Sequence, residues 1–445
     1  MHAFDWTTHP QAEALVDDLV TDALERSPEV RGFTDRLETE TSTRLTDWLD
    51  HVAAPVDPDV LTATGFLPCG GADLWRHPSA QLPAVVPSSS RALAIRVEDV
   101  TAFAGQHGGA VVDGAPLSGL RRTVVTTAGA PVLLAGVERR SWGAGVTPVE
   151  SADDAVAAAV RAWALWAERP RGYDVTSGLA EARSRAARMV GLVGPDLAAS
   201  FAMEIERRFW QRRNAAAVVQ HARQDRLGLG WGNHDHHTFR SSRGSFRSLL
   251  DVLQVLGFSL RERFHAGAEA GWGAQVLEHS GAGLVVFADV DLEPTEVDTD
   301  FARAELAESD RLGTVGLWCA LHGESLLAAG MHHLEGQFDF DRLRVDLADR
   351  GIDHMAPFSD FPHLLQAFTV AERWPIGRER LDALVAAGRL EPAQAEEFAA
   401  RGAAGSHLEN LARRGGFKGF NQHNVSTTMR ATDPRRLHPT SPNPL

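Results

Sequence analysis

Histidines gather in two short segments of this chain, which has 19 histidines among its 445 residues. The first segment is Asn233-His-Asp-His-His-Thr-Phe-Arg240, and the second is Met331-His-His-Leu-Glu335. Imidazole is a common ligand for transition metals, and a guanidinium binds carboxylates in a bidentate manner. Together these residue types predict a metal centre beside an arginine that holds a carboxylate.

The first segment is predicted to be a β-strand, in which alternate side chains share one face. His234, His236, Thr238 and Arg240 then point the same way. The same pattern is also typical of a histidine-rich strand packed in a core, with Arg240 in a structural ion pair. The residues alone leave both interpretations open.

The second segment presents one histidine to each face of its predicted strand. His333 shares its face with Glu335 and Gln337. A register shift of one residue would exchange the two faces and present His332 instead. A third candidate is Glu372, which ends an otherwise apolar predicted strand. A carboxylate there is either a metal ligand or a group that meets solvent at the edge of the sheet.

The elements that must position these residues follow a repeated β-α-β-β pattern. The pattern recurs over residues 92–142, 228–295 and 324–374, and a weaker copy begins at Asp50. The candidate ligands then occupy the first or last strand of such a module. Two imidazoles and one carboxylate leave three open positions on an octahedral ion, as in the facial triad of non-haem Fe(II) oxygenases.

Composition excludes several other classes of protein. The formal net charge is −15, so a nucleic-acid binder or a protein of acidic membrane surfaces is not expected. The two cysteines, Cys69 and Cys319, exclude a disulfide framework. Neither a signal sequence nor a run of about 20 apolar residues is visible, which predicts a cytoplasmic protein without a membrane segment.

The same residues carry a resemblance to a known family. The segment Asp235–Arg240 and the motif Leu256-Gly-Phe258 look like the first metal module of the 2-oxoadipate dioxygenase/decarboxylase family (D-2-hydroxyglutarate synthase-like), in the vicinal oxygen chelate superfamily. The stretch from His332 to Asp341 resembles that family's second module, and Leu364–Arg373 resembles its next strand. The resemblance covers roughly residues 230 to 390.

The resemblance implies an α+β fold of repeated β-α-β-β(-β) modules of vicinal-oxygen-chelate type, which form half-barrels with added helical segments. Residues 1–150 would be an N-terminal α+β domain, a degenerate module pair without metal, and residues 151–227 a helical connector. Residues 228–375 would be the catalytic, metal-binding module pair, and residues 376–445 the C-terminal helices and tail.

The resemblance also implies the metal centre. The family's metal ligands are two histidines and one glutamate, and they fall on His236, His333 and Glu372. The cofactor would be one Fe(II) per chain, with molecular oxygen as co-substrate. The family's second histidine usually follows an asparagine, whereas here it follows His332, so His332 is a rival ligand.

A small-molecule carboxylate, a 2-oxo acid, is the substrate that the resemblance implies. Arg240 falls on the family's substrate-binding arginine and is the expected catalytic residue. Thr238 and Gln366 are expected to bind substrate as well. The stretch 416–424 resembles the family's substrate-contacting loop, which adds Asn421 and His423 as substrate-binding residues.

Other functions stay open from the residues alone. The pair His234-x-His236 in a strand is also how binuclear zinc hydrolases begin a metal site. Those enzymes need a (β/α)₈ barrel, and this chain does not show its alternating pattern. A metal-dependent lyase, isomerase or extradiol ring-cleaving enzyme is a further alternative, and so is a non-catalytic binder of small molecules.

Overall fold

Two β-sheets form the centre of the molecule, one of eight strands and one of nine. The computed structural model describes residues 6–69, 73–172, 174–265, 271–296, 298–309, 311–421 and 432–435. Within these residues, no helix combines the length and the apolar character that a membrane crossing requires.

The first sheet is preceded by two helices and is built of two modules. Each module consists of a strand, a helix and three more strands, and the strand order is β2-β3-β4-β1-β5-β8-β7-β6. The elements are α1 (Pro10–Arg26), α2 (Pro28–Thr41), β1 (Leu49–Ala54), α3 (Pro58–Ala63), β2 (Leu67–Pro68), β3 (Trp75–Arg76), β4 (Ala84–Pro87), β5 (Ala92–Arg96), α4 (Val100–Gln106), β6 (Val112–Asp113), β7 (Leu120–Val124) and β8 (Leu133–Arg139).

Three helices connect the two sheets, namely α5 (Asp153–Ala167), α6 (Val175–Gln211) and α7 (Ala215–Asp225). Helix α6 is interrupted at Gly194, whose φ of 78° and ψ of 167° are not helical and which precedes Pro195. Proline cannot continue the hydrogen-bonded ladder of a helix, so the Gly-Pro pair divides α6 into two packed segments.

The second sheet has the same construction and carries the histidine-rich segments. Its main strand order is β10-β11-β12-β9-β13-β17-β15-β14, and β16 pairs with β17 outside this path. The elements are β9 (His234–Arg240), α8 (Arg243–Val255), β10 (Ser259–His265), β11 (Trp272–His279), β12 (Leu284–Asp291), α9 (Thr314–His322), β13 (His333–Gln337), α10 (Phe340–Ala348), β14 (Ser359–Phe361), β15 (Leu364–Phe368), β16 (Glu372–Trp374), α11 (Arg378–Ala386), α12 (Pro392–Arg401) and β17 (Ala403–Arg413).

The strand orders confirm the predicted fold class. In each sheet the first strands of two modules lie side by side, and each is flanked by the last strand of its own module. This is a pair of vicinal-oxygen-chelate-type modules. The boundary that we predicted at residue 375 divides the last module, because its last strand, β17, comes only after α11 and α12.

The two faces of the second sheet have different partners. Its outer face, including Phe239 and Leu334, packs with α6 and α8 in the largest core. Its inner face, including Phe287, packs against Trp318 of α9. Helix α8 ends where Gly257 has a φ of +100°, and a Cβ there would lie 2.6 Å from the His279 ring.

An internal repeat of polar residues joins the modules within each sheet. The first strand bulges by one residue at Asp50 in β1 and at Asp235 in β9. The Asp50 carboxylate accepts hydrogen bonds from Arg139 Nε and Nη2, at 2.6 and 2.7 Å, and lies 2.7 Å from His51 Nδ1. Burial opposes ionisation of Asp50, but Arg139 and His51 hold its pKa well below the ordinary value.

Removing one member of this buried pair should be costly. The Asp50 and Arg139 side chains are 0% and 1% exposed, so Asp50→Ala leaves an uncompensated buried guanidinium. We expect a loss of about 3–5 kcal/mol of unfolding free energy. In the exposed pair Arg122–Asp113, the matched change Asp113→Ala should cost less than about 1 kcal/mol. Urea denaturation checks both values, and similar small losses would contradict the role of Asp50.

Candidate metal centre

Two imidazoles and two carboxylates meet on the inner face of the second sheet. They belong to the three central strands β9, β13 and β17, where Glu335 pairs with His236 on one side and with Glu409 on the other. Two residues before Glu335 on β13, His333 is on the same face. All four side chains are buried, with exposures of 3% for His236, 7% for His333, 0% for Glu335 and 2% for Glu409.

The donor atoms of these four residues lie within contact distance. Oε1 of Glu335 is 2.8 Å from His236 Nε2 and 2.5 Å from His333 Nε2. Oε2 of Glu409 is 3.5 Å from His333 Nε2. One donor atom each from His236, Glu335 and Glu409 lies within 4.8 Å of the others. We call these four residues the donor cluster.

The buried carboxylate of Asp235 orients His236. Asp235 Oδ1 is 2.8 Å from His236 Nδ1, so the imidazole donates there and its Nε2 lone pair is available for a cation. Arg413 of β17 donates to both Asp235 oxygens, at 2.9 and 3.0 Å, and Gln337 donates to Oδ2 at 3.0 Å. This arrangement repeats the one around Asp50.

The structure brings His333, and not His332, to the donor cluster. His333 Nδ1 is 2.6 Å from His332 Nδ1, which leaves His333 Nε2 to face the carboxylates. The His332 ring lies edge-on to Trp318 of α9, with ring centroids 5.5 Å apart. The register of β13 therefore makes His332 a neighbour that orients His333.

Burial determines the charges of the cluster. It lowers the pKa of His236 and of His333, which favours the neutral form of both imidazoles. Burial and the neighbouring Glu409 raise the pKa of Glu335 well above its ordinary value. Burial also raises the pKa of Glu409 to about 8. Without a cation, these carboxylates are held in their neutral forms.

A divalent cation fits this donor set. Among the described residues, the ion-pair partners of Glu335 and Glu409 are imidazoles and no lysine or arginine. Oε2 of Glu335 is buried without a hydrogen-bond partner in that part of the chain. Enclosed carboxyl groups of this kind ionise only beside a compensating charge, which a bound cation would supply, and the imidazoles offer neutral nitrogen ligands beside them.

Two of the residues expected to bind substrate support the donor cluster. Thr238 Oγ1 donates to Glu335 Oε1 at 2.9 Å, and Gln366 Nε2 donates to Glu409 Oε1 at 2.8 Å. Asn421 is buried, and its amide donates to the carbonyl of Phe358 at 3.2 Å. His423 lies outside the described residues. Substrate contacts of these residues remain predictions.

Arg240 is fully buried on the same face of β9 as His236 and Thr238. Its Nε is 3.8 Å from Asp289 Oδ2 on β12, and its Nη2 donates to Thr432 Oγ1 at 3.4 Å. Arg240 follows His236 by four positions along the strand, which corresponds to about 13 Å between their α-carbons. Arg240 therefore lies further along the same inner face as the donor cluster.

The bulge changes the expected position of His234. Because Asp235 is an extra residue in β9, His234 does not share the inner face with His236. Its ring contacts that of His237, with centroids 5.4 Å apart, on the side where Arg207 Nη1 lies 3.1 Å from His237 Nε2. The structure therefore does not form the His234-x-His236 chelate of the hydrolase alternative.

Glu372 is not part of the donor cluster, which corrects the expectation that it is the carboxylate ligand. Strand β15 ends at Phe368, which pairs with Glu409, and Glu372 begins the separate strand β16 opposite Ser406. Its Oε2 accepts a hydrogen bond from the amide of Ala215 at the start of α7, at 3.1 Å. The carboxylate position that we predicted for Glu372 is taken by Glu409.

Glu409 was missed because β17 lies within residues 376–445, which we assigned to C-terminal helices and a tail and not to the catalytic module pair. A signal for it is present in the sequence. The tripeptide His-Leu-Glu occurs at residues 333–335 and again at residues 407–409. The structure places these two tripeptides side by side in parallel register.

Of the four donors, only His236 has an equivalent at the corresponding position of the first sheet, namely His51. His51 pairs with Ala94, and Ala94 pairs with Ala135, where the second sheet has His236, Glu335 and Glu409. The position of His333 is occupied by Ala92. The chain after β8 fills this face, since Ala144 and Val149 pack against Ala94 and Ala135.

Comparisons with known proteins find similarity in structure only. No family model matches the chain, and no curated protein matches it. A triple mutant of 4-hydroxymandelate synthase from Streptomyces coelicolor aligns at 14% identity over 87% of this chain and 98% of that chain, with a TM-score of 0.30. Methylmalonyl-CoA epimerase from Mycobacterium tuberculosis aligns at 11% identity over 41% of this chain and 87% of that chain, with a TM-score of 0.23.

A third similar structure is the uncharacterized protein YdcJ from Shigella flexneri, which includes domain DUF1338. It aligns at 13% identity over 48% of this chain and 67% of that chain, with a TM-score of 0.24. These structural neighbours are vicinal oxygen chelate superfamily members. The strand order described above, and not these low scores, establishes the fold of this chain.

Exchanging one carboxylate at a time tests the donor cluster. Glu409→Gln should weaken Fe(II) or Co(II) binding by more than about 100-fold, since removing an outer partner alone typically costs 10–100-fold. The matched control Glu372→Gln should bind metal as the unchanged protein does. Calorimetric titration with Co(II) gives both affinities. Loss of binding in Glu372→Gln but not in Glu409→Gln would restore Glu372 as the ligand.

Proposed function

We propose that this chain is a mononuclear non-haem Fe(II)-dependent dioxygenase of the vicinal oxygen chelate superfamily that acts on a 2-oxo acid. The observation that carries the proposal is the buried donor cluster, in which His236, His333 and Glu409 offer two imidazoles and one carboxylate from adjacent strands. Three such donors leave three positions open on an octahedral ion. When bound, Fe(II) supplies the reduction of O₂ and a Lewis-acid contact for the 2-oxo group.

The residues around the cluster would exclude water and fix its geometry. The rings of Phe287 and Phe420 contact the His236 ring at centroid distances of 4.6 and 5.0 Å, and Phe368 contacts His333 at 4.8 Å. Apolar walls of this kind strengthen electrostatic contacts inside a site. Thr238 and Gln366 act as positioning residues through their hydrogen bonds to the two glutamates.

Arg240 would hold the substrate's distal carboxylate. Its guanidinium is buried, lies on the inner face and is always protonated, so a substrate carboxylate reaching it would form a charge-assisted hydrogen bond in a dry environment. The choice of a 2-oxo acid rests on the resemblance of the segments around Arg240 and His333 to the 2-oxoadipate dioxygenase/decarboxylase family.

One observation favours a second candidate, a metal-dependent isomerase or lyase. Glu335 places a fourth donor within contact of both imidazoles. If Glu335 binds the metal, two positions remain, which is enough for a bidentate substrate but not for O₂ beside it. If it does not bind the metal, its carboxylate is placed to move a proton of the substrate.

Oxygen consumption separates the two candidates. Anaerobically purified protein loaded with about one Fe(II) per chain is mixed with a panel of 2-oxo mono- and dicarboxylic acids. The dioxygenase predicts O₂ uptake that depends on the acid, and Arg240→Gln should raise KM for dicarboxylic acids much more than for monocarboxylic ones. Enzyme-dependent deuterium exchange in D₂O at C3, the carbon beside the 2-oxo group, without O₂ uptake would instead establish the isomerase or lyase.

The Arg240–Asp289 pair predicts how substrate affinity depends on pH. Burial raises the pKa of Asp289 to about 7, although Arg240 opposes the shift. Below pH 7 the carboxyl of Asp289 is neutral and does not compete with the substrate carboxylate for Arg240, whereas above pH 7 ionised Asp289 competes for it. KM for a 2-oxo dicarboxylic acid should therefore rise by up to about tenfold from pH 6 to pH 8.

The control for this pH effect is Asp289→Asn, which keeps the shape of the side chain but cannot ionise. In this variant, KM should stay at its low value across the same pH range. A pH profile of KM that is the same in both proteins would rule out Asp289 as its source.

A further inference from the structure

The first half of the chain must have a role other than metal binding. Its inner face carries Ala94 and Ala135 at ligand positions and is filled by its own chain. Its rim, however, meets the second half across a cavity of about 460 Å³. A cavity of this size is sufficient for a small metabolite. None of the four residues of the donor cluster lines it.

Residues from both halves form the wall of this cavity, which we call the inter-sheet cavity. The first half contributes Arg76, Arg96 and Trp142, and the second half contributes Asp235 and Gln337. The guanidinium carbons of Arg76 and Arg96 lie 4.2 and 5.9 Å from the centroid of the Trp142 ring. The guanidinium carbon of Arg139 lies 3.9 Å from the same centroid, so three cationic side chains converge on one indole at the rim of the first sheet.

The carboxylates that line the inter-sheet cavity are already paired with other cations. Asp47 is bound by Arg44, Asp50 by Arg139, Asp235 by Arg413 and Glu278 by Lys418. Each pair leaves little charge for a further partner.

Arg76 and Arg96 retain unused donors. In the described part of the chain, the side chain of Arg76 forms neither a hydrogen bond nor an ion pair, and it contacts the ring of Trp142. Arg96 has one long ion pair, 3.7 Å from its Nη2 to Asp50 Oδ2, and its Nε is buried without a partner among those residues. The indole N–H of Trp142 is also buried without a partner there. The cavity is thus locally cationic in a chain of net charge −15.

We propose that the inter-sheet cavity is a binding site for a small organic anion that carries a carboxylate or phosphate group. Arg76 and Arg96 bind the anionic group through their free N–H donors, because a guanidinium matches the geometry of both groups. The Trp142 indole supplies a further N–H donor, which is buried without a partner among the described residues.

The position of this site gives it access to the metal centre. Asp235 and Gln337 belong to the cavity wall, and Asp235 is the carboxylate that orients His236. A ligand in the cavity therefore lies one side chain away from the donor cluster, without contacting it. In this arrangement, the role of the first half of the chain is to supply the cationic rim of the site.

Calorimetric titration of the full-length protein with inorganic phosphate and, separately, with succinate tests the site. At least one of these anions should bind. The anion that binds more tightly shows whether the natural ligand carries a phosphate or a carboxylate group. Arg76→Gln and Arg96→Gln should each weaken binding by about tenfold or more, the effect of losing a charge-assisted hydrogen bond. Arg76→Lys keeps the charge and should bind more tightly than Arg76→Gln.

Arg122→Gln is the matched control, because Arg122 lies on β7 of the same sheet, 38% exposed, and does not line the cavity. It should leave affinity unchanged. Arg76 has no ion pair to lose, so the thermal midpoint of Arg76→Gln should fall only by the few degrees that the loss of its contact with Trp142 explains.

Three results would overturn the proposal. One is that neither anion binds the unchanged protein, and another is that the Arg76 and Arg96 variants bind as it does. The third is that Arg240→Gln abolishes binding while Arg76→Gln does not, which would place the anion near the metal centre. The titration needs no turnover, so its outcome is independent of whether the chain is a dioxygenase.

Discussion

The buried carboxylate of Asp235 is the interaction on which the second sheet depends. Removing a carboxylate from water costs several kcal/mol, so Asp235 requires the two hydrogen bonds of Arg413, the Gln337 amide and the His236 ring around it. Although burial opposes its ionisation, Arg413 and His236 lower the pKa of Asp235 far below the ordinary value. The ion pair connects β9 to β17 across β13 and fixes which nitrogen of His236 faces the donor cluster.

The same interaction is built twice, with different consequences. In the first sheet, Asp50, His51 and Arg139 form a bulged strand and a buried ion pair that are equivalent to those of the second sheet. The positions beside His51 hold alanine, so no second carboxylate has to be compensated there, and apolar residues after β8 can pack into the space. In the second sheet Glu335 and Glu409 occupy these positions, and their burial makes a bound cation the natural source of compensation. The bulge is therefore a framework that does not itself require a metal.

Much of the fold could be predicted from local patterns. The strand of residues 235–240, the helix that ends before Gly257 and the repeated modules all follow from short-range periodicity and turn residues. Strand β10 and strand β17 were not predicted, and two helices separate β17 from the rest of its module. Pairing between β13 and β17 is a long-range contact, and local sequence does not encode which distant strand completes a sheet.

The candidate site divides in the same way. The sequence by itself determined the kinds of group available to the site. Residue type supplies the imidazoles, carboxylates and arginine, and the two-residue period of a strand puts alternate side chains on one face. It identified His236 and His333 as candidates and left His332 as a rival. Only the tertiary structure decided that Glu409 and not Glu372 faces them, because the chain leaves the sheet after Phe368 and returns as β17. It also decided that His234 turns away, since one extra residue in a strand reverses every side chain before it.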